Sequence, residues 1–136
     1  MDKELKKDIE AELENLERLT QEMKEIINKV KNEPDEPDFI TTRAAGSIIH
    51  DFYCGIEKIF ERIALNIDNS MPKGEDWHIK LLLQMTQAVD KRKMPVIDSE
   101  FMQVLKEFLR FRHLFRNIYG FELKWKRIKP LLEIEV

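Results

Sequence analysis

The sequence has little cysteine, glycine and proline, and it has no long hydrophobic run. Its 136 residues include one cysteine, four glycines and five prolines. The single cysteine, Cys54, cannot form an internal disulfide bond or a thiolate metal cluster. No run of about 18 uncharged apolar residues occurs, which excludes a transmembrane helix. The charged N-terminal residues lack the apolar stretch of a signal peptide. We therefore expect a soluble, cytoplasmic protein.

The hydrophobic content is sufficient for one folded domain. Hydrophobic residues make up 43% of the chain and charged residues 36%. A chain of this length usually forms a single core, and few glycines and prolines disfavour a loop-rich or disordered chain. We expect one domain over residues 1–136.

Charge is distributed unevenly around a net value of −3. Residues 1–38 contain 7 basic and 13 acidic side chains, whereas residues 91–129 contain 11 basic and 4 acidic ones. A basic segment in an acidic protein favours a polyanionic partner. Solvated helix faces explain the same counts equally well.

Apolar residues recur every three or four positions along nearly the whole chain, which predicts helices. The pattern predicts four helices before residue 120 and a fifth, short helix from about Glu122, which Pro130 either ends or kinks. Asp76 is expected to cap the third helix and Gly120 to end the fourth. Because no segment alternates with period two, we expect an all-α, antiparallel bundle of four or five helices. The first four predicted helices cover about residues 3–31, 38–67, 76–88 and 99–119.

The fourth predicted helix carries a charge on its apolar side. Arg112 follows Leu105 and Phe108 by seven and four residues, so it shares their face. Such a charge is costly unless it is paired or faces a cleft or a partner. The alternatives are an arginine that reaches solvent and one that pairs with Glu57 or Glu61.

A second row on this helix is polar and basic. Its members are spaced by three or four residues, and they are Lys106, Arg110, His113 and Asn117. Guanidinium groups bind phosphates through two donors, and a histidine can exchange protons near neutral pH. An arginine and a histidine at one helix end are therefore a minimal set for cleaving a phosphodiester without metal.

Residues 108–120 resemble the signature helix of the HEPN superfamily. More narrowly, they are similar to HepT-like ribonuclease toxins that are paired with a minimal nucleotidyltransferase. That motif is Arg, four residues, His, one residue, Tyr, which places Arg112 and Tyr119 in register and Asn117 at the histidine position. Residues 46–57 and 74–78 resemble a helix and the following loop of the same family. The resemblance covers about residues 40–130.

This resemblance implies an all-helical, dimeric protein whose cleft lies between two copies of the motif helix. It implies a metal-independent ribonuclease without a cofactor, acting on RNA, with tRNA among the candidate substrates. Arg112 would stabilise negative charge on the phosphate. From the basic pattern of this helix, rather than from the resemblance, we expect Arg110, Arg116 and Lys106 to bind RNA. The partner nucleotidyltransferase antitoxin would silence the toxin by adding AMP to Tyr119.

Asn117 leaves the function open, because an amide cannot act as a general acid or base near neutral pH. Either His113, one turn earlier, supplies proton transfer, or the protein binds RNA or the nucleotidyltransferase without cleavage. A third interpretation is a purely structural helical adaptor with a basic face.

Other polar residues carry weaker expectations. His50 and Asp51, with Glu57, could form a polar network that supports the motif helix, although a structural histidine is the commoner case. For His78 we expect helix capping or surface packing. The three histidines are too scattered to predict a zinc site.

Overall fold

The computed structural model describes residues 2–134, and within this range it contains five α-helices and no β-strand. The predicted all-α class is confirmed. None of the described helices combines the length and hydrophobicity that a bilayer span requires. The helices are α1 (Lys3–Lys31), α2 (Phe39–Ile63), α3 (Trp77–Met85), α4 (Ser99–Asn117) and α5 (Trp125–Leu132).

Helix α1 packs along α2 through one apolar stripe. Its N-terminus is capped by Asp2, whose carboxylate accepts a hydrogen bond from the backbone N–H of Glu4 at 3.2 Å. Leu5 and Met23 are buried against the core. A Cβ atom at Gly55 of α2 would lie 2.7 Å from Leu16. The glycine therefore allows the two helices to approach closely.

Helix α2 is the centre of the bundle and contacts the four other helices. Its N-cap is Asp38, whose carboxylate accepts the backbone N–H of Thr41 at 2.7 Å, and this bond lowers the pKa of Asp38. A π-helical turn, Ala64–Asp68, continues the helix, so the predicted end near residue 67 is confirmed. Asn69 then ends it in a left-handed conformation with φ 54°.

The loop between α3 and α4 is held by a buried ion pair. Arg92 donates through Nε and Nη2 to the two carboxylate oxygens of Asp68, each at 2.9 Å, and Gln84 donates to the same carboxylate at 2.9 Å. Burial alone would raise the pKa of Asp68, but the Arg92 and Gln84 hydrogen bonds lower it. Arg92 belongs to the basic segment of residues 91–129, but its guanidinium is bound to Asp68 and stabilises the fold.

Two helix-end predictions are corrected. Asp76 precedes α3 without a capping hydrogen bond, and its carboxylate instead pairs with Lys80 at 3.2 Å. Helix α4 ends at Asn117 rather than at residue 119, because the Asn117 side chain donates to the carbonyl oxygen of His113 at 2.6 Å and Ile118 is extended. Tyr119 therefore lies beyond the helix. Gly120 starts a 3-10 turn, Gly120–Glu122.

Candidate functional site

A cleft of about 620 Å³ opens between the start of α3 and the second half of α4. Four residues predicted for the site line it, all of them on α4. The cleft is lined by Glu75, Asp76, His78 and Ile79 on one side and by Lys106, Leu109, Arg110, Arg112 and His113 on the other. Cationic groups of α4 thus face an acidic loop and a histidine.

Arg112 lies at the inner wall of this cleft. Its side chain is 15% exposed, and its Nε atom is 4.0 Å from Oε1 of Glu57. The same Nε is fully buried and has no hydrogen-bond partner. Of the alternatives considered for Arg112, the ion pair with Glu57 is the one present. At this distance the carboxylate attracts the guanidinium without forming a hydrogen bond with it.

Glu57 is a buried carboxylate that two helices share. Its residue is 6% exposed, and its Oε2 lies 2.8 Å from Nδ1 of His78 on α3. One oxygen therefore faces α3 and the other faces Arg112 on α4. A buried carboxylate is stable only when groups of this kind surround it.

The Glu57 carboxylate also affects the pKa of two other groups on α2. Burial raises the pKa of Tyr53, and the nearby Glu57 charge raises it further. Burial also raises the pKa of Glu61, one turn after Glu57, and repulsion by Glu57 adds to the effect. The interior between α2 and α4 therefore already holds one carboxylate and disfavours more negative charge.

The remaining basic residues of the cleft are more accessible. His113 is exposed, and Lys106 is partly buried. Arg110 is 73% exposed and forms a surface pair with Glu107 at 2.6 Å. Surface pairs of this kind are weak, so Arg110 can exchange Glu107 for a phosphate.

Three other predicted site residues lie outside the cleft lining. Arg116 and Asn117 are exposed at the C-terminal end of α4, and the Asn117 amide is bonded to the helix itself. Tyr119 is 71% exposed, and its ring stacks on Phe121 at 5.3 Å with an interplanar angle of 7°. The motif tyrosine is thus presented to solvent rather than to the cleft.

The expected network of His50, Asp51 and Glu57 is divided into two parts. His50 lies 3.6 Å from the Asp51 carboxylate and stacks on Phe115 at 4.9 Å. Glu57 pairs with His78 instead. From the sequence we expected helix capping or surface packing for His78, and its contact with Glu57 was not predicted. The signal that could have found it is the position of Glu57 on the apolar face of α2, where an acid requires a partner.

Over residues 2–134 the protein is a helical bundle in which Arg112 and His113 of α4 line one cleft and Tyr119 lies just beyond the end of that helix. A family model described as HepT-like protein matches residues 44–135, and the chain belongs to this family. This membership indicates a protein of the HEPN toxin type. Comparisons with curated proteins and with solved structures found no significant match.

Proposed function

We propose that the protein is the toxin of a HEPN/nucleotidyltransferase toxin–antitoxin pair and that it cleaves RNA in the cytoplasm without a metal ion. The observation that carries this proposal is that Arg112 and His113 line one cleft together with Lys106 and Arg110. A guanidinium, an imidazole and two further cations suit a phosphodiester that must be bound and cleaved. Transfer RNA is the first substrate to test.

Each residue has a definite role in this proposal. The guanidinium of Arg112, held against Glu57, stabilises the negative charge that develops on the phosphate. His113 transfers a proton, in place of Asn117, whose amide has no proton to exchange near neutral pH. Lys106 and Arg110 neutralise neighbouring phosphates. Arg116, one turn after Arg112, extends this cationic path along α4.

We further propose that two copies form the working unit. Ile79 and Leu83 are one turn apart on α3 and are 49% and 47% exposed. Ile79 also lines the cleft. A second copy on this apolar face would cover both side chains and enclose the cleft, which strengthens electrostatic interactions inside it.

Silencing by the partner would act on Tyr119. The nucleotidyltransferase would join the Tyr119 oxygen to the α-phosphorus of ATP, with pyrophosphate as the leaving group. The exposure of Tyr119 supports this, because a transferase must reach the hydroxyl. The added phosphate would place a negative charge near the cationic end of α4 and oppose RNA binding.

The test is cleavage of a tRNA pool in excess EDTA. Wild-type protein should cleave, and Arg112→Ala and His113→Ala should both lose activity. Arg18→Ala on α1 removes an exposed arginine that does not line the cleft, so it should cleave like wild type and serves as the matched control. A wild-type protein without cleavage contradicts the ribonuclease proposal.

One observation favours a second candidate function. Asn117 occupies the histidine position of the family motif, and its amide is bonded to the His113 carbonyl oxygen. If that position is indispensable, the protein binds RNA or the nucleotidyltransferase without cleaving. Binding of tRNA by a protein that does not cleave it would support this candidate.

A further inference from the structure

His78 has the surroundings of a proton acceptor rather than of a surface residue. Its Nδ1 is 2.8 Å from Oε2 of Glu57, a carboxylate whose side chain is 8% exposed. Its ring is 20% exposed and packs on Trp77, with ring centroids 3.6 Å apart. The hydrogen bond and the tryptophan together fix the orientation of the imidazole.

This arrangement leaves Nε2 as the ring nitrogen without the carboxylate bond. When Nδ1 carries its hydrogen toward Glu57, Nε2 is the basic nitrogen of the neutral ring. A buried carboxylate on Nδ1 also stabilises the imidazolium that forms when Nε2 takes up a proton. The chemistry of the pair is that of a histidine prepared to accept a proton.

His78 reaches the cleft that contains Arg112 and His113, but it does so from the opposite wall. His78 belongs to α3, and the other two residues belong to α4. A phosphodiester bound to Arg112 would therefore have one imidazole on each side. Cleavage by an internal hydroxyl needs this placement, because one group removes a proton and another group delivers one.

We propose that His78 is the general base of this site and that Glu57 is its positioning residue, an inference that rests on the proposed ribonuclease function. Nε2 of His78 takes the proton of a ribose 2′-hydroxyl, and the 2′-oxygen forms a bond to the adjacent phosphorus. The bond from phosphorus to the 5′-oxygen breaks, and that oxygen takes a proton from protonated His113. The products are a 2′,3′-cyclic phosphate and a 5′-hydroxyl. No oxidant, reductant or metal ion enters the balance.

Glu57 then positions two residues that contact the substrate, His78 and Arg112. Its Oε2 orients His78, and its Oε1 attracts Arg112 from 4.0 Å. The position that the family motif gives to histidine is held here by Asn117 at the exposed end of α4. A base on α3 removes the need for an imidazole at that position.

The test compares a short single-stranded RNA with the same RNA carrying sulfur in place of the scissile 5′-oxygen, both in excess EDTA. On the normal RNA, His78→Gln and His113→Ala should each lower kcat by about 100-fold or more, with KM changed little. A thiolate leaves without protonation. The sulfur substrate should therefore restore cleavage by His113→Ala but not by His78→Gln.

If His78 has only a structural role, a folded His78→Gln protein should keep the wild-type kcat. Lys80→Gln, whose side chain is exposed on α3 outside the cleft lining, is the control and should keep the wild-type kcat. If wild type cleaves and His78→Gln has the same kcat, the assignment of His78 is wrong and the ribonuclease proposal stands. If wild type cleaves neither of these RNAs nor the tRNA pool, both proposals are wrong.

A second variant covers the case in which His78→Gln does not fold. Glu57→Gln keeps a side chain of the same shape but removes the charge that favours the His78 imidazolium. It should lower kcat by about 10-fold or more while the circular dichroism spectrum stays that of wild type. A folded Glu57→Gln protein with wild-type kcat would overturn the assignment.

Discussion

The guanidinium of Arg112 faces the carboxylate of Glu57, with Nε 4.0 Å from Oε1. The two side chains are 15% and 8% exposed, so solvent screens their attraction only weakly. The pair connects α4 to α2 beneath the cleft. Nε is buried and has no hydrogen-bond partner, so Glu57 positions the arginine through the attraction between the two charges.

Arg112→Ala should therefore lower the free energy of unfolding as well as activity. The change leaves the buried Glu57 carboxylate with His78 as its remaining polar contact, and we expect a loss of about 1–3 kcal/mol. Urea denaturation measures it. Arg110→Ala, which removes a 73% exposed arginine of the same helix, should change the value by less than about 0.5 kcal/mol. An unchanged urea midpoint in Arg112→Ala would show that the pair does not stabilise the fold.

The helices could be predicted from the sequence because their signals are local. The apolar spacing of α1 and that of α4 depend on residues within a few positions of each other. The end of α4 was predicted less accurately. It depends on the Asn117 side chain turning back to the His113 carbonyl, an alternative that residue spacing does not reveal.

The candidate site could be predicted only in part, for a related reason. Lys106, Arg110, Arg112 and His113 share one helix, so the helical repeat alone brings them together. His78 and Glu57 are separated by 21 positions, and only the packing of α3 against α2 joins them. Charge counts were also misleading at Arg92, which Asp68 holds inside the fold.

Glu61→Gln should stabilise the protein at neutral pH. Burial raises the pKa of Glu61, and Glu57 adds to that shift, so the folded state disfavours the ionised form. A carboxyl with a raised pKa destabilises the fold as pH rises from its unfolded pKa through its folded pKa. We expect a gain of up to about 1 kcal/mol at pH 7, which disappears below the unfolded pKa. Glu57→Gln, one turn earlier, should have the opposite effect on the urea midpoint.

Asp68→Asn should destabilise the loop between α3 and α4. The Asp68 side chain is 1% exposed and holds Arg92 through two hydrogen bonds. We expect a loss of about 3 kcal/mol at neutral pH. Because the pKa of Asp68 is lowered in the folded state, this contribution is complete above the unfolded pKa of about 3.9. It is lost as pH falls through the lower folded value.

Urea denaturation of wild type and Asp68→Asn at neutral and acidic pH measures this difference. Asp76→Asn, which alters a 62% exposed carboxylate near α3, is the matched control and should change little. A difference between wild type and Asp68→Asn that is the same at both pH values would contradict the account.

Tyr119→Phe should abolish modification by the partner nucleotidyltransferase. Wild type co-expressed with that enzyme should gain the mass of one AMP group, because Tyr119 is 71% exposed beyond the end of α4. Tyr53→Phe is the matched control, since the chain has two tyrosines and Tyr53 is 1% exposed. Intact-protein mass spectrometry distinguishes the variants. An AMP group on Tyr119→Phe would place the modification elsewhere.

Leu83→Glu should weaken the proposed dimer. Leu83 is 47% exposed on the apolar face of α3 that Ile79 shares, and burial of a new carboxylate between two copies is unfavourable. Light scattering at micromolar concentration should give twice the chain mass for wild type and a lower mass for the variant. Leu13→Glu on α1 changes a leucine of similar exposure, 51%, and should leave the mass unchanged. If Leu13→Glu lost the dimer and Leu83→Glu kept it, the interface would lie on α1. A monomeric wild type would contradict the dimer proposal.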